Sequence, residues 1–343
     1  MIGTRRWAAG PAVALLLAVL LGAAGAVPAR AQQKMDIAIS RQPGIFYMPS
    51  HIIEKQKLIE KHAAALGLPG VTVKWLTFAT GGAQTDAFLS RTIDILNTGT
   101  GNLLQLWDIT EGGVKGIVAT SAQPMTLISR DPNIQSIKDF GPTDKIAVPT
   151  LKVSTQAIVL QIAAAEAFGT DQWSKLDAST VQLSHPNAYE VLSNPQRDVR
   201  SHFSIPPFSY LEMKNVPGAH VVMSSADVMG GPLSQVQFFT STRFARENPI
   251  IIQAVRDATK EAQDLIRSDT RTAVGIYKEI TGDGTSTEDL LVLLKQPGMM
   301  EWNLEPQGTM KLATHLFKTG TLKTQPKAWT EYYLPIAHDL KGS

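Results

Sequence analysis

Apolar and polar positions alternate with two periods along this chain, and the period changes again and again. Asp36-Ile37-Ala38-Ile39-Ser40 alternates every second residue, which predicts a strand. Ile52, Ile53, Leu58, Ile59, Ala63, Ala64 and Leu66 then recur at helical spacing, with Gly67 placed to end the helix. The β-branched and aromatic run Val71–Phe78 predicts a second strand, Gln84–Ser90 a helix and Ile93–Asn97 a third strand. A helical stretch over Leu103–Trp107 precedes strands at Gly116–Thr120 and Thr126–Ser129. The pattern then restarts. Strands are predicted at Lys145–Val148, Thr180–Leu183, Val199–Ile205, Ala219–Met223 and Gln235–Thr240, with helices at Ala157–Phe168 and Tyr189–Leu192. Repeated strand–helix–strand alternation predicts mainly parallel sheets covered by helices, an α/β fold.

Two segments share a layout. Phe88-Leu89-Ser90 leads to Ile93-Asp94-Ile95, and Val191-Leu192-Ser193 leads to Arg197-Asp198-Val199. Each reads as a helix end, a turn and a strand that starts at an aspartate, which suggests two domains of like construction. The remainder is helical. Asn248-Pro249 opens a helix striped by Ile252, Val255, Ala258, Ala262 and Leu265. Ser286-Thr287-Glu288-Asp289 opens another that Gln296-Pro297-Gly298 ends, and Met310, Leu312, Ala313, Leu316 and Phe317 mark a third. Trp329–Leu334 is expected as a short packed terminal piece.

The first thirty-one residues follow a different rule. Arg5 and Arg6 precede an apolar run from Ala12 to Val27, then Ala29-Arg30-Ala31. A charged start, a hydrophobic middle and an A-x-A end are the parts of a secretory signal peptide, cleaved near Gln32. The run is short and rich in Ala and Gly for a membrane span. The expected location is therefore the periplasm. Trp7-Ala8-Ala9 fits twin-arginine export poorly and favours the general route.

This leader changes the charge balance. The chain has 32 lysines and arginines and 30 acids. Arg5, Arg6 and Arg30 lie in the leader, which holds no acid, so the rest carries 29 basic and 30 acidic residues, a net charge of −1. No basic excess is left to neutralise a phosphate backbone, so no nucleic-acid partner is expected. Cysteine is absent, which excludes disulfides, thiolate metal sites, a cysteine nucleophile and a lipid anchor at the cleavage point.

Three turns share one form, a strand end, small polar residues, then a helix start: Thr80-Gly81-Gly82, Thr98-Gly99-Thr100-Gly101 and Val153-Ser154-Thr155-Gln156. In a parallel sheet, strand C-termini and helix N-termini lie on one edge, where ligands bind in open α/β sheets. Helix N-termini offer free N–H groups and partial positive charge. Each turn alone reads more readily as an ordinary helix cap; three of them spread over two domains point to a shared cleft. None contains an arginine, so a bidentate carboxylate clamp is not evident. His202-Phe203-Ser204-Ile205-Pro206-Pro207-Phe208 is a further candidate, because tandem prolines after a strand fix an abrupt turn that would hold His202, Ser204 or Phe208 at the same edge. The loop after the first strand offers Gln42, Phe46 and Tyr47 as an amide and an aromatic wall. Both segments are equally readable as core and turn.

Enzyme signatures are lacking. Asp139-Phe140-Gly141 stands without the other kinase segments, Gly99-x-Gly101 lacks the third glycine of a dinucleotide loop, and no H-E-x-x-H, G-x-S-x-G or phosphate-binding loop occurs. His51, His62, His185, His220, His315 and His338 have no metal spacing and are expected as ordinary surface or core residues.

Taken in order, the Phe46-Tyr47 loop, Thr80-Gly81-Gly82, Phe88-Leu89-Ser90…Ile93-Asp94-Ile95…Gly99, Ile146-Ala147-Val148-Pro149…Ser154-Thr155-Gln156 and His202–Phe208 give the chain a family likeness. From about Asp36 to about Phe239 it resembles the periplasmic substrate-binding proteins of ABC importers, in the nitrate/sulfonate/taurine and thiamine-pyrimidine-precursor group. The resemblance implies a type II-like periplasmic binding protein, with two doubly wound α/β lobes joined by two crossing strands near Met125–Arg130 and Asp227–Thr240. The implied domains are the signal peptide 1–31, lobe I from 32–127 and 232–343, and lobe II from 128–231. The implied ligand-binding residues are Gln42, Phe46, Tyr47, Gly81, Gly82, Thr98, Gly99, Thr100, Ser154, Thr155, Gln156, His202, Ser204 and Phe208, with no catalytic residue, metal or cofactor. The implied partners are a small organic solute, sulfonate-, taurine- or nitrate-like among the anionic candidates, and an ABC permease in the inner membrane that reads the closed form of a monomer. The alternatives are a ligand sensor or adaptor and a thiamine-pyrimidine-synthase-like enzyme; the missing cysteines argue against the enzyme.

Overall fold

Every strand that the alternation predicts is present in the computed structural model, which describes residues 1–3 and 33–343; the expected leader lies almost wholly outside the described residues. The strands are β1 (Asp36–Arg41), β2 (Thr72–Thr77), β3 (Ile95–Gly99), β4 (Val114–Ser121), β5 (Thr126–Ser129), β6 (Ile146–Val148), β7 (Thr180–Gln182), β8 (Ser201–Ser204), β9 (His220–Ser224) and β10 (Val236–Ser241). They form two five-stranded sheets, in the orders β2-β1-β3-β10-β4 and β7-β6-β8-β5-β9. Within each sheet the central pairings, β1 with β2 and β3, and β6 with β7 and β8, are parallel. One strand in each sheet runs the other way: β10 between β3 and β4, and β5 between β8 and β9.

Those two antiparallel strands are the ones that follow a change of sheet. The chain leaves the first sheet after Ser121 and enters the second at Thr126; it leaves the helix after β9 at Met229 and returns at Val236. The second lies within Asp227–Thr240, where a crossing was expected; the first meets the expected Met125–Arg130 only at Met125. The expected break at 127/128 falls inside β5, which belongs wholly to the second sheet, so the change of sheet lies a few residues earlier, at Ala122–Met125. The two sheets share one order of strands, as the repeated helix–turn–strand layout suggested. The repeat holds in strand order but not in position or chemistry. The Asp94 carboxylate accepts from the Ala38 backbone N–H at 2.9 Å and pairs with Lys34, starting β3 two residues later than predicted. Asp198 is exposed and lies three residues before β8.

The helices that position the sheet edges are α1 (Met48–Gln56), α2 (Leu58–Ala65), α3 (Gly81–Leu89), α4 (Thr100–Ile109), α5 (Thr155–Phe168) and α6 (His185–Ser193). They are followed by α7 (Phe208–Asn215), α8 (Ser225–Met229), α9 (Thr242–Glu247), α10 (Pro249–Ser268), α11 (Thr270–Thr281), α12 (Thr287–Leu294) and α13 (Thr309–Lys318). One predicted helix is two, because Lys57 adopts the left-handed region (φ 50°) between α1 and α2. Asn248 precedes α10 as expected but does not cap it; its Oδ1 accepts from the Lys34 backbone and its Nδ2 donates to the Phe244 carbonyl. α11, unmarked in the sequence reading, starts at the Asp269 cap directly after α10 and buries Ala273, Val274 and Tyr277. None of the described helices is long and apolar enough to cross a membrane.

The terminal piece is packed as expected. Tyr332 and Tyr333 are fully buried, and the Tyr333 hydroxyl donates to Gln237 on β10. Gly116 on β4 lies against the Tyr333 ring, where a Cβ would come within 2.5 Å of it, so the absence of a side chain admits the tail.

α1 buries His51 edge-on against the Tyr277 ring, 5.4 Å between centroids. Burial, aided by nearby Arg41, lowers its pKa to about 3. The imidazole is thus neutral in the fold and titrates normally when unfolded, so stability is complete above about pH 6.5 and falls as pH drops towards 3. We expect denaturant titrations at pH 7 and pH 5 to differ by about 2 kcal/mol from this group. His51→Gln should flatten that part of the slope.

Candidate functional site

Four helices begin where strands of the two sheets end. β2 runs through Phe78–Thr80 into α3, β3 passes directly into α4, β6 leads through 149–154 into α5, and β7 leads through 183–184 into α6. Thr80 and Ser154 cap their helices, accepting from the Ala83 and Ala157 backbone N–H groups. Gly99 and Ser184 precede theirs without a side-chain cap. The shared edge of a parallel sheet thereby gathers four N-terminal ends with their partial positive charge.

The two sets of turns touch. The Gly82 N–H donates to Thr150 Oγ1 at 3.2 Å, the Gly101 N–H to Thr155 Oγ1 at 3.4 Å, and the Ile45 N–H to the Pro206 carbonyl at 3.1 Å. A Cβ on Gly101 would lie 2.1 Å from the Val153 carbonyl oxygen, and one on Gly99 would lie 2.9 Å from Thr155 Oγ1. Only residues without side chains allow this approach.

Between the turns is a small cavity. The first sheet and its connections contribute Gln42, Phe46, Tyr47, Gly81, Thr98, Gly99 and Asn102; Gln235 comes from the return crossing; the second sheet contributes Pro149, Thr150, Ser154, Thr155, Gln156, His185 and Ile205. The space left is about 20 Å³, on the scale of one water molecule. No lining side chain is an acid, lysine or arginine. Its polar wall is made of amides, hydroxyls and one imidazole. Gln42 donates to the Tyr47 hydroxyl at 2.8 Å and to Thr98 Oγ1 at 2.7 Å, so three of these groups hold one another. Burial raises the Tyr47 pKa, keeping the phenol protonated. Gln235 Oε1 is buried without a hydrogen-bond partner.

This two-sheet arrangement is shared with solved structures. The alkanesulfonate-binding protein SsuA from Xanthomonas axonopodis pv. citri, bound to MOPS, superposes with a TM-score of 0.66 over 91% of this chain and 100% of its own, at 15% identity. The periplasmic nitrate-binding protein NrtA from Synechocystis PCC 6803 gives 0.64 over 86% of this chain and 84% of its own, at 15% identity. A conserved Candida albicans protein described as having the generic periplasmic binding protein structural fold gives 0.62 over 87% and 96%, at 12% identity. This chain has the periplasmic binding protein fold. No protein-family model matches it, and no curated protein sequence does.

Of the residues picked from the sequence, the periplasmic binding protein fold brings Gln42, Phe46, Tyr47, Gly81, Thr98, Gly99, Ser154, Thr155 and Gln156 to the cavity wall. Five others stand away from it. Gly82 bonds across to Thr150 beside the cavity. Thr100 is fully buried; its hydroxyl donates to the Ser234 carbonyl and accepts from Gln237. Ser204 is buried with no partner for its hydroxyl. His202 lies one layer back, 2.8 Å behind His185, and Phe208 stacks on the His185 ring at 6.1 Å. The segment 202–208 therefore backs the cavity, and Ile205 is its one lining residue.

His185, expected as an ordinary surface or core residue, is buried and lines the cavity at the start of α6. The helix starts at His185, four residues before the Tyr189 that the spacing predicts. Ser184 followed by Pro186 is a helix-start signature that would have moved it. Asn102, Pro149 and Thr150 adjoin the named turns and were passed over, whereas Gln235 reaches the cavity only because the chain recrosses there.

Thr100→Val should remove one of the two hydrogen bonds at the Ser234 carbonyl and at the Gln237 amide, which still bond each other at 3.0 Å. We expect a loss of about 1–3 kcal/mol of folding stability in denaturant titration, a structural effect that marks Thr100 as part of the core rather than the wall.

Proposed function

We propose that this chain is an exported solute-binding protein that closes two lobes around a small solute and delivers it to an ABC permease in the inner membrane. The single observation that carries this reading is the cavity itself, walled by both sheets at the ends where four helices begin. The lobes are the two sheet-bearing halves, 34–121 with 236–343 and 126–229, connected by two segments that act as the hinge. The protein works in the periplasm as a monomer, its leader removed, and turns over no substrate. The solute-binding roles in the names of similarly folded structures support this reading.

The cavity also bears on the solute. With about 20 Å³ free, a solute enters by opening the hinge rather than by diffusion into the closed form. With no charged side chain in the wall, an anion such as a sulfonate or nitrate is held by backbone N–H groups at helix N-termini and by hydroxyls and amides. Gln42, Thr98, Ser154, Thr155 and Gln156 are the residues we assign to that contact, with Phe46 and Tyr47 as the apolar wall.

A thermal-shift panel of alkyl and aryl sulfonates, nitrate, aromatic carboxylates and pyrimidines tests this reading. One class should stabilise the chain saturably, by about 2.7 kcal/mol at a hundred times its Kd. Failure of every class to shift the melt would overturn the proposed solute range. Gly101→Ala provides a second check. Its Cβ meets the Val153 carbonyl and holds the lobes apart, so the ligand-free melt should stay near wild type while affinity for the stabilising class falls at least about tenfold.

A further inference from the structure

Behind the cavity wall a line of buried groups runs from Gln156 into the second sheet. Gln156 Nε2 lies 3.2 Å from His185 Nε2, and a flip of the isosteric amide would put its oxygen at the same place. His185 Nδ1 lies 2.8 Å from His202 Nε2, and His202 Nδ1 lies 2.5 Å from Glu212 Oε1 on α7. Glu212 and His202 are fully buried, and Glu212 Oε2 has no hydrogen-bond partner. Of these four residues, Gln156 and His185 line the cavity.

Each link needs one proton, so the protons along the line point one way or the other. Without an extra proton, His202 donates to Glu212 and His185 donates to His202, which leaves a bare carboxylate buried with one oxygen unpartnered. The one ion-pairing partner the described residues give Glu212 is His202. His202 is flanked on its sheet by Ile128 and Ala147. The other titratable groups of α6 and α7 are Tyr189, Glu190, Tyr210 and Lys214; Glu190 is exposed, Tyr189 accepts from Asn215, and Tyr210 and Lys214 are engaged with Asp289. An uncompensated buried carboxylate is costly, and one with a hydrogen-bonded cation beside it is far less so. With one extra proton, Glu212 stays anionic, His202 becomes the imidazolium, and its Nε2–H donates to His185 Nδ1. His185, whose pKa is pushed well down by burial and by His202, then stays neutral with its proton on Nε2.

We propose that Glu212, through an imidazolium at His202, fixes His185 as an Nε2–H donor to Gln156, so that Gln156 turns its NH2 group to the cavity and reads oxygen acceptors on the solute. Amide oxygen and nitrogen have the same shape, so the hydrogen bond from His185 decides which end faces inward. Glu212 and His202 are positioning residues for the solute site, and the inference rests on that site being where solute binds. One buried proton sets whether the wall donates or accepts at Gln156.

The protonation pattern can be read without any ligand, from long-range ¹H–¹⁵N spectra of the full chain labelled with ¹⁵N-histidine at about pH 7. The expected result is that both ring nitrogens of His202 are protonated and His185 carries a proton at Nε2 alone. In Glu212→Gln, His202 should lose one of its two protons and His185 should no longer be held as the pure Nε2–H form, while His51, His62, His220, His315 and His338 keep their spectra. A single proton on His202 in the wild-type chain, or a His185 proton at Nδ1, overturns the proposal; so does a His202 that stays doubly protonated in Glu212→Gln. Should Glu212→Gln fail to fold, the wild-type spectrum alone decides. Because no solute enters this measurement, its failure is distinct from a failure of the thermal-shift panel.

Discussion

A side chain missing from Gly101 governs how near the two sheets come. The backbone of α4 meets the carbonyl of Val153 so closely that any Cβ would collide with it. With that contact made, Thr155 reaches the Gly101 N–H, Thr150 reaches the Gly82 N–H, and the space between the turns shrinks to the size of a water molecule. The cavity is therefore a product of contact between halves. Neither half encloses it, and each presents only a row of helix starts at a sheet edge.

The electrostatics follow from the same geometry. A wall without charged side chains avoids the desolvation that a buried arginine or carboxylate would suffer when the cleft shuts. Positive potential comes instead from helix ends, which are fixed in place by the sheets and carry no side-chain entropy. Charges that the fold does bury lie away from the cavity, in pairs or, as at Asp108, against backbone N–H groups. Arg41 pairs with Glu54 and stacks over Trp75, and Glu212 sits against His202. Polar groups behind the wall, such as the Gln42–Tyr47–Thr98 set, hold their geometry by bonding one another.

Much of the fold was legible in the chain because strand and helix periods are local. The ten strands were found where alternation or β-branched runs marked them, and the three turns named for their Gly, Ser and Thr content do meet at the cavity. Errors arose where a neighbour distant in sequence decides the outcome. Thr100 has the right residue type at the right turn, yet its hydroxyl is claimed by the Ser234 carbonyl, 134 residues away. Asn248 is a good capping residue whose side chain is taken by the Lys34 backbone. His202 was singled out and His185 was not, although the two rings are in contact and His185 is the one at the wall.

What the sequence determined by itself was the alternation of elements, the doubling of the α/β layout and the small polar residues at helix starts, since each depends on spacing within a few residues. Tertiary structure alone decided which of those residues share a space. It set β5 and β10 antiparallel through the two changes of sheet and brought Gln235 to the cavity on the return crossing. It also joined Gln156, His185, His202 and Glu212 into one buried line. The physical reason is that hydrogen bonds and close backbone approaches act over about 3 Å in space, whereas the residues that make them lie tens to hundreds of positions apart in the chain.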